Sequence, residues 1–199
     1  SVYLRGNDSK RVLVLIDGIR YNDITGTSGA PFEHLMIEDV EQIEIIKGAQ
    51  SGIWGADASA GVINIITKTA QSGTHGSTKL ETGSFNTRKY GMDLSHKTNN
   101  YYVKGSVNKI DTNGYSSSLA KKSSANYGKR DELGLENDAY QNITTNLQGG
   151  FNFDDANKID ISHKIVNVKG NFDNSSSDAL NTTTTKDNFS NVSYENKND

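Results

Sequence analysis

The sequence predicts an α+β unit followed by an antiparallel sheet of long strands, and three observations carry that expectation. Residues 1–70 hold short apolar runs rich in β-branched residues, bounded by glycine and charge. Residues 71–199 switch to alternation of apolar and polar residues, the period that places one set on each face of a sheet. Those alternating stretches run to about 9–13 residues, against a usual strand of about 5–6, and short turns between them give way to long polar loops.

The first unit reads in order. Val12 to Ile16 is a continuous β-branched and Leu run closed by Asp17-Gly18, a turn signal. Ile43 to Ile46 and Val62 to Ile66 are similar runs, and all three fit strands buried on both faces. Phe32, Leu35 and Met36 fall at helical spacing and predict a short helix over 32–40, with another near 50–54. Glycines at 48, 52, 55 and 61 punctuate the remainder.

The second unit predicts six strands, near 77–85, 88–97, 101–110, 141–153, 158–169 and 188–196. On the second, Tyr90, Met92, Leu94 and His96 share a face; on the third, Tyr101, Val103, Gly105 and Val107 do. Ile143, Leu147, Gly149, Phe151 and Phe153 follow on the fourth, and Ile159, Ile161, His163 and Ile165 on the fifth. The other face is Asn, Ser, Gln, Lys and Asp. Turns at 98–100 and 154–157 are short, whereas the connections at roughly 111–140 and 170–187 are long and polar. A transmembrane β-barrel has this grammar. So does an ordinary antiparallel sheet with one wet face, and periodicity alone leaves both open.

Composition removes several functions. Only 33% of the residues are apolar, yet net charge is −3, with 22 Asn supplying much of the polarity. No apolar run reaches the roughly 20 residues of a membrane-spanning helix. A pI near 5.8 with mixed charges leaves no footprint for nucleic acid. The absence of Cys removes disulfides and thiol chemistry. His34, His75, His96 and His163 show no metal spacing, and no nucleophile–base set marks an enzyme. A lone six-stranded sheet would leave edges that lipid does not tolerate, so a membrane reading needs further strands.

Tyr3-Leu4-Arg5-Gly6, then VLVLIDGIRYND over 12–23, then VEQIEIIKGAQSGIWGADASAGVINIITK over 40–68 form a run of linked motifs. It resembles the plug domain of TonB-dependent outer-membrane transporters, with the cobalamin-receptor branch nearest. The resemblance covers residues 1–70 in order and spacing and continues more loosely through 71–199. It implies an α+β plug domain over 1–70, followed over 71–199 by the first antiparallel transmembrane β-barrel strands, a fragment of a 22-stranded barrel.

The function implied is TonB-dependent active uptake of a scarce ligand across the bacterial outer membrane, without enzymatic chemistry. Cobalamin is the first ligand expected, and ferric siderophore or haem the alternative. TonB, reached through a box outside this sequence, and outer-membrane lipid are the implied partners. A soluble β-rich binding or adhesin-like module that borrows a plug-like unit is a second alternative.

Residue roles follow from the same resemblance. Arg5 and Lys47 stand where the family places basic residues that pair with glutamates of the barrel wall. Lys47 lacks the planar fork of arginine, and Ala49 replaces the usual proline. The loop 22–31 corresponds to the plug apex, which makes Asn22, Thr25, Thr27 and Ser28 candidate ligand contacts. Trp54 is expected to pack within the plug. Glu136, Asp138, Asp178 and Asp187 stand near the calcium ligands of the cobalamin-receptor branch, and carboxylates suit that hard cation. Ser116 and Ser177 depart from that set.

Overall fold

The computed structural model describes residues 2–4, 6–23, 29–115, 137–172 and 182–197. The chain divides into two compact units, residues 1–70 and 71–199.

The first unit is a mixed four-stranded sheet in the order β2-β1-β4-β3. These strands are β1 (Val12–Ile16), β2 (Ile19–Arg20), β3 (Val40–Lys47) and β4 (Gly61–Thr67). All five residues of β1 are buried, as its unbroken apolar run requires for a central strand. Each such side chain contributes roughly 1.5–3 kcal/mol of burial. β1 and β4 run parallel, with Leu13 opposite Val62, and these two residues join Leu15 and Ala58 in the core cluster.

Asp17 and Gly18 make the hairpin from β1 to β2. Both have positive φ, 50° and 81°, the left-handed pair of a two-residue turn that suits the twist of the strands. Gly61 serves a different need. A Cβ there would lie 2.5 Å from the Ile46 carbonyl oxygen and 2.9 Å from Leu4 Cδ1.

Three expectations are corrected here. The helix expected over 32–40 is instead two single 3-10 turns, Phe32–His34 and Ile37–Asp39. Leu35 and Met36 between them are extended, with ψ of 115° and 122°. The Asp39 carbonyl accepts from the Lys68 N–H, so sheet pairing already claims the end of the segment. The run Ile43–Ile46 is not buried on both faces. β3 is an edge strand paired only with β4, and Ile43, Ile45 and Ile46 are exposed. Trp54 ends a one-turn helix, α1 (Ser51–Trp54), and is exposed rather than packed.

The second unit is a six-stranded antiparallel meander, β5 to β10 in sequence order. The strands are β5 (Gly73–Gly83), β6 (Thr87–Lys97), β7 (Tyr101–Thr112), β8 (Tyr140–Asn152), β9 (Asn157–Asn171) and β10 (Thr182–Asn196). All six lie where alternation places them. β5 begins four residues earlier than expected, and β10 six residues earlier. Thr182 to Thr185, read as loop, extend β10 because β-branched residues fit a pleated surface and pair with Asn171 to Val168. Gly73 pairs with Lys97, beside the 98–100 turn. The chain therefore enters the sheet at the short-turn end.

Candidate functional site

In the first unit, the ends of the expected apex loop are pinned. Tyr21 is buried, and its N–H donates to the Val14 carbonyl at 2.8 Å. The Asn22 side chain then completes the edge of β1. Its Oδ1 accepts from the Val14 N–H at 2.7 Å, and its Nδ2 donates to the Val12 carbonyl at 2.8 Å. An amide group thus mimics a further strand residue and satisfies two buried backbone groups. On the far side, Gly29 lies against Ser9, and Ala30 is buried. The Tyr21 hydroxyl donates to the Pro31 carbonyl at 3.3 Å.

The Asn22 amide is buried and engaged at both ends, so this residue, expected as a ligand contact, clamps the strand edge. Thr25, Thr27 and Ser28 lie outside the described residues, as does Arg5. Lys47 is the exposed last residue of β3, opposite Gly61.

In the second unit, register aligns the apolar positions into cross-strand rows. Gly76, Leu94, Gly105, Leu147, His163 and Ser190 form one. At the short-turn end Tyr101, Phe151, Ile159 and Tyr194 form another, an aromatic border. Burial is distributed opposite to a water-soluble sheet. Met92, Leu94, Val103, Leu147, Ile161 and Val192 are each 53–67% exposed, whereas Ser106, Asn108, Asn142, Thr144 and Asn146 on the other face are 1–6% exposed.

The buried polar face satisfies itself in part. Asn146 Nδ2 donates to Ser106 Oγ at 3.1 Å, and Thr144 Oγ1 to Asn142 Oδ1 at 3.0 Å. Near the short turns, the Tyr102 hydroxyl donates to Asp160 at 2.8 Å, and Lys158 bridges the same carboxylate at 2.8 Å. On the apolar face, both histidines bond the hydroxyl directly opposite in register. His96 Nδ1 meets Thr74 Oγ1 at 2.7 Å, and His163 Nδ1 meets Ser190 Oγ at 2.8 Å. A polar group set among apolar side chains needs such a partner.

The four carboxylates singled out for calcium are only partly described. Glu136 and Asp178 lie outside the described residues. Asp138 stands just before β8. Asp187 is inside β10 on the polar face, opposite Val166, and so belongs to the sheet rather than to the long connection where it was expected. The intervening β9 and four residue rows separate it from Tyr140, close to Asp138. Among the described residues no three His, Asp or Glu side chains gather as a metal site.

Residues 1–62 match the family model of the TonB-dependent receptor plug domain. The chain carries a TonB-dependent receptor plug. Over 84 residues it is also 42% identical to the vitamin B12 transporter BtuB of Vibrio vulnificus (strain CMCP6), covering 42% of this chain and 14% of that protein. Among solved structures, the siderophore receptor PirA from Acinetobacter baumannii superposes with a TM-score of 0.64 at 18% identity, over 82% of this chain and 24% of that one. The copper transporter OprC superposes with a TM-score of 0.61, also at 18% identity, over 80% of this chain and 23% of that one. At such identities these likenesses describe the fold, and they extend it beyond the plug into the long strands. The chain spans only 14% of its curated relative and about a quarter of each of these structures. TonB-dependent receptors are outer-membrane proteins and not enzymes.

Proposed function

We propose that this chain contributes the plug and the first barrel strands of a receptor for TonB-dependent uptake of a scarce small molecule, with cobalamin the first ligand to test. The observation that carries the transport reading is the reversed burial of the β5–β10 sheet in a chain that also carries a plug domain. A face of Met, Leu, Val and Ile left exposed while Asn, Ser and Thr are buried suits a wall between lipid and a wet interior. The soluble adhesin-like alternative requires the opposite distribution. Cobalamin draws its support from the 42% identity to a vitamin B12 transporter. Siderophore receptors share the fold, so a ferric siderophore or haem is the second ligand.

In this reading, the segment around 24–28 presents the ligand contacts Thr25, Thr27 and Ser28 between its two pinned ends. Arg5 and Lys47 pair with carboxylates of the wall, and TonB acts on the plug through a segment outside this sequence. Plug states that differ in ligand affinity are what make such a device a transporter. Glu136, Asp138 and Asp178 are the residues that would hold calcium, whose charge would order the outer connections for the ligand.

Equilibrium binding to the full-length receptor tests the proposal. Saturable cobalamin binding, strengthened by calcium, supports the first ligand. Binding of a ferric siderophore or haem, with none of cobalamin in either the presence or absence of calcium, overturns it.

A further inference from the structure

The apolar face changes character at the end opposite the short turns. Its last two rows read Thr82, Arg88, Asp111, Gln141, Lys169, Thr184, and below that Leu80, Tyr90, Lys109, Ile143, Asn167, Lys186. Four cations therefore stand on this face, directly above Met92, Val107 and Ile165. Asp111 is the only acid in either row. It is held by Lys109 at 2.6 Å and by the Gln141 amide at 2.7 Å. Arg88, Lys169 and Lys186 are exposed. A cleft of about 580 Å³ opens between Arg88, Lys109, Asp111, Gln141 and the turn residue Asn86, so that two cations and hydrogen-bond donors line one hollow with a single carboxylate.

The opposite end of the same face closes with Tyr101, Phe151 and Tyr194 and carries no such cations. The asymmetry has a direction. The long connections leave from the cationic end, and in outer-membrane barrels the longer loops are extracellular.

We infer that the Arg88–Lys109 cleft, with Lys169 and Lys186 beside it, is a binding site for the phosphorylated headgroup of a lipid in the outer leaflet. Guanidinium and amide donors suit phosphate oxygens, and the apolar rows below receive the acyl chains. Asp111 holds Lys109 upright and leaves a net excess of three positive charges for the ligand. The two cation clusters are three strands apart, about 14 Å at the spacing of paired strands, so a headgroup with two phosphates would engage both. This inference rests on the barrel reading of the sheet.

The test uses the full-length receptor reconstituted into phosphatidylcholine vesicles, with and without phosphatidic acid. Lipid retained through purification is counted by native mass spectrometry. Phosphatidic acid should be retained in preference to phosphatidylcholine. Lys169→Gln with Lys186→Gln, both at exposed positions, should lower that preference about thirtyfold. Arg88→Gln with Lys109→Gln should lower it further, and Lys169→Arg with Lys186→Arg should restore it. An inserted receptor with no preference, or variants that keep it, overturns this inference and leaves the barrel reading intact. Displacement of the lipid by millimolar inorganic phosphate would also overturn it, since the site would then take a free ion. Failure of the receptor to insert at all overturns both.

Discussion

The Asp17 carboxylate accepts from both the backbone N–H and the hydroxyl of Thr67, at 2.9 and 2.8 Å. One side chain therefore shapes the β1–β2 turn and anchors the last residue of β4. The Asp17 N–H also donates to the Ile65 carbonyl, so the turn is tied to the parallel neighbour twice. Asp17→Ala removes two hydrogen bonds to a charged group and places Ala at a φ it disfavours, at a cost of roughly 2–4 kcal/mol. Asp17→Asn keeps the turn and one acceptor and should cost about half as much. Hydrogen exchange at the Thr67 amide in the full receptor checks this, and unchanged protection in Asp17→Ala would refute the anchor.

Asn22 yields a prediction that separates structure from ligand contact. Asn22→Ala orphans the Val14 N–H and the Val12 carbonyl and should destabilise the plug by about 2 kcal/mol. Calorimetric unfolding should shift before any ligand is added. A variant of native stability that binds ligand poorly would return Asn22 to the ligand site.

Gly61→Ala drives a methyl into the Ile46 carbonyl at a φ of 153°. Overpacking of this kind costs about 1–3 kcal/mol. The effect should appear as faster exchange of the β3 and β4 amides, while the β5–β10 sheet keeps its protection.

The Asp154 turn is sensitive to acid. The Asn157 side-chain amide and the N–H groups of Ala156 and Asn157 all donate to its carboxylate and hold its pKa below the ordinary value. A lowered folded-state pKa gives stability that is present above the unfolded value, about pH 4, and lost as pH falls through the folded one. The Asn157 amide should therefore exchange faster than its neighbours as pH drops below about 4, after correction for intrinsic rates. Asp154→Ala should abolish that extra dependence.

Leu147 lies at the middle of the exposed apolar face, between Gly105 and His163. Leu147→Arg should impair insertion into lipid by roughly 2–4 kcal/mol, the cost of arginine at the midplane of a barrel. Gln148→Arg, at a half-buried position of the polar face, tests the other side, and there insertion should survive. Equal tolerance at both positions would favour a sheet that meets water on its apolar face.

Much of this architecture was legible in the residues. The period of two from Lys89 to Lys97 and from Ile143 to Phe153 placed strands within a few residues, because side-chain alternation is a local property of extended backbone. The apolar run at 12–16 announced a strand buried on both faces, and the linked motifs of 1–70 announced a plug. The pattern at Phe32 to Met36 misled, since three apolar residues at helical spacing cannot outweigh a chain end already bound into β4. Asn22 misled for a related reason. A polar residue in a glycine-rich loop looks available until the strand edge it completes is known.

The cationic rows show the same limit from the other side. Arg88, Lys109, Lys169 and Lys186 are scattered over about a hundred residues, and no spacing in the chain links them. Pairing register alone brings them to one end of one face.

The sequence by itself determined which segments are strands, how their two faces differ in polarity, and which family the plug belongs to. Each of these is written in neighbouring residues. Only the tertiary structure decided that the polar face is the buried one, that β3 stands at an edge, and that Asn22 serves the fold. Those outcomes depend on which strand pairs with which, and at what register. Pairing is set by contacts between residues far apart in the chain, which local periodicity does not encode.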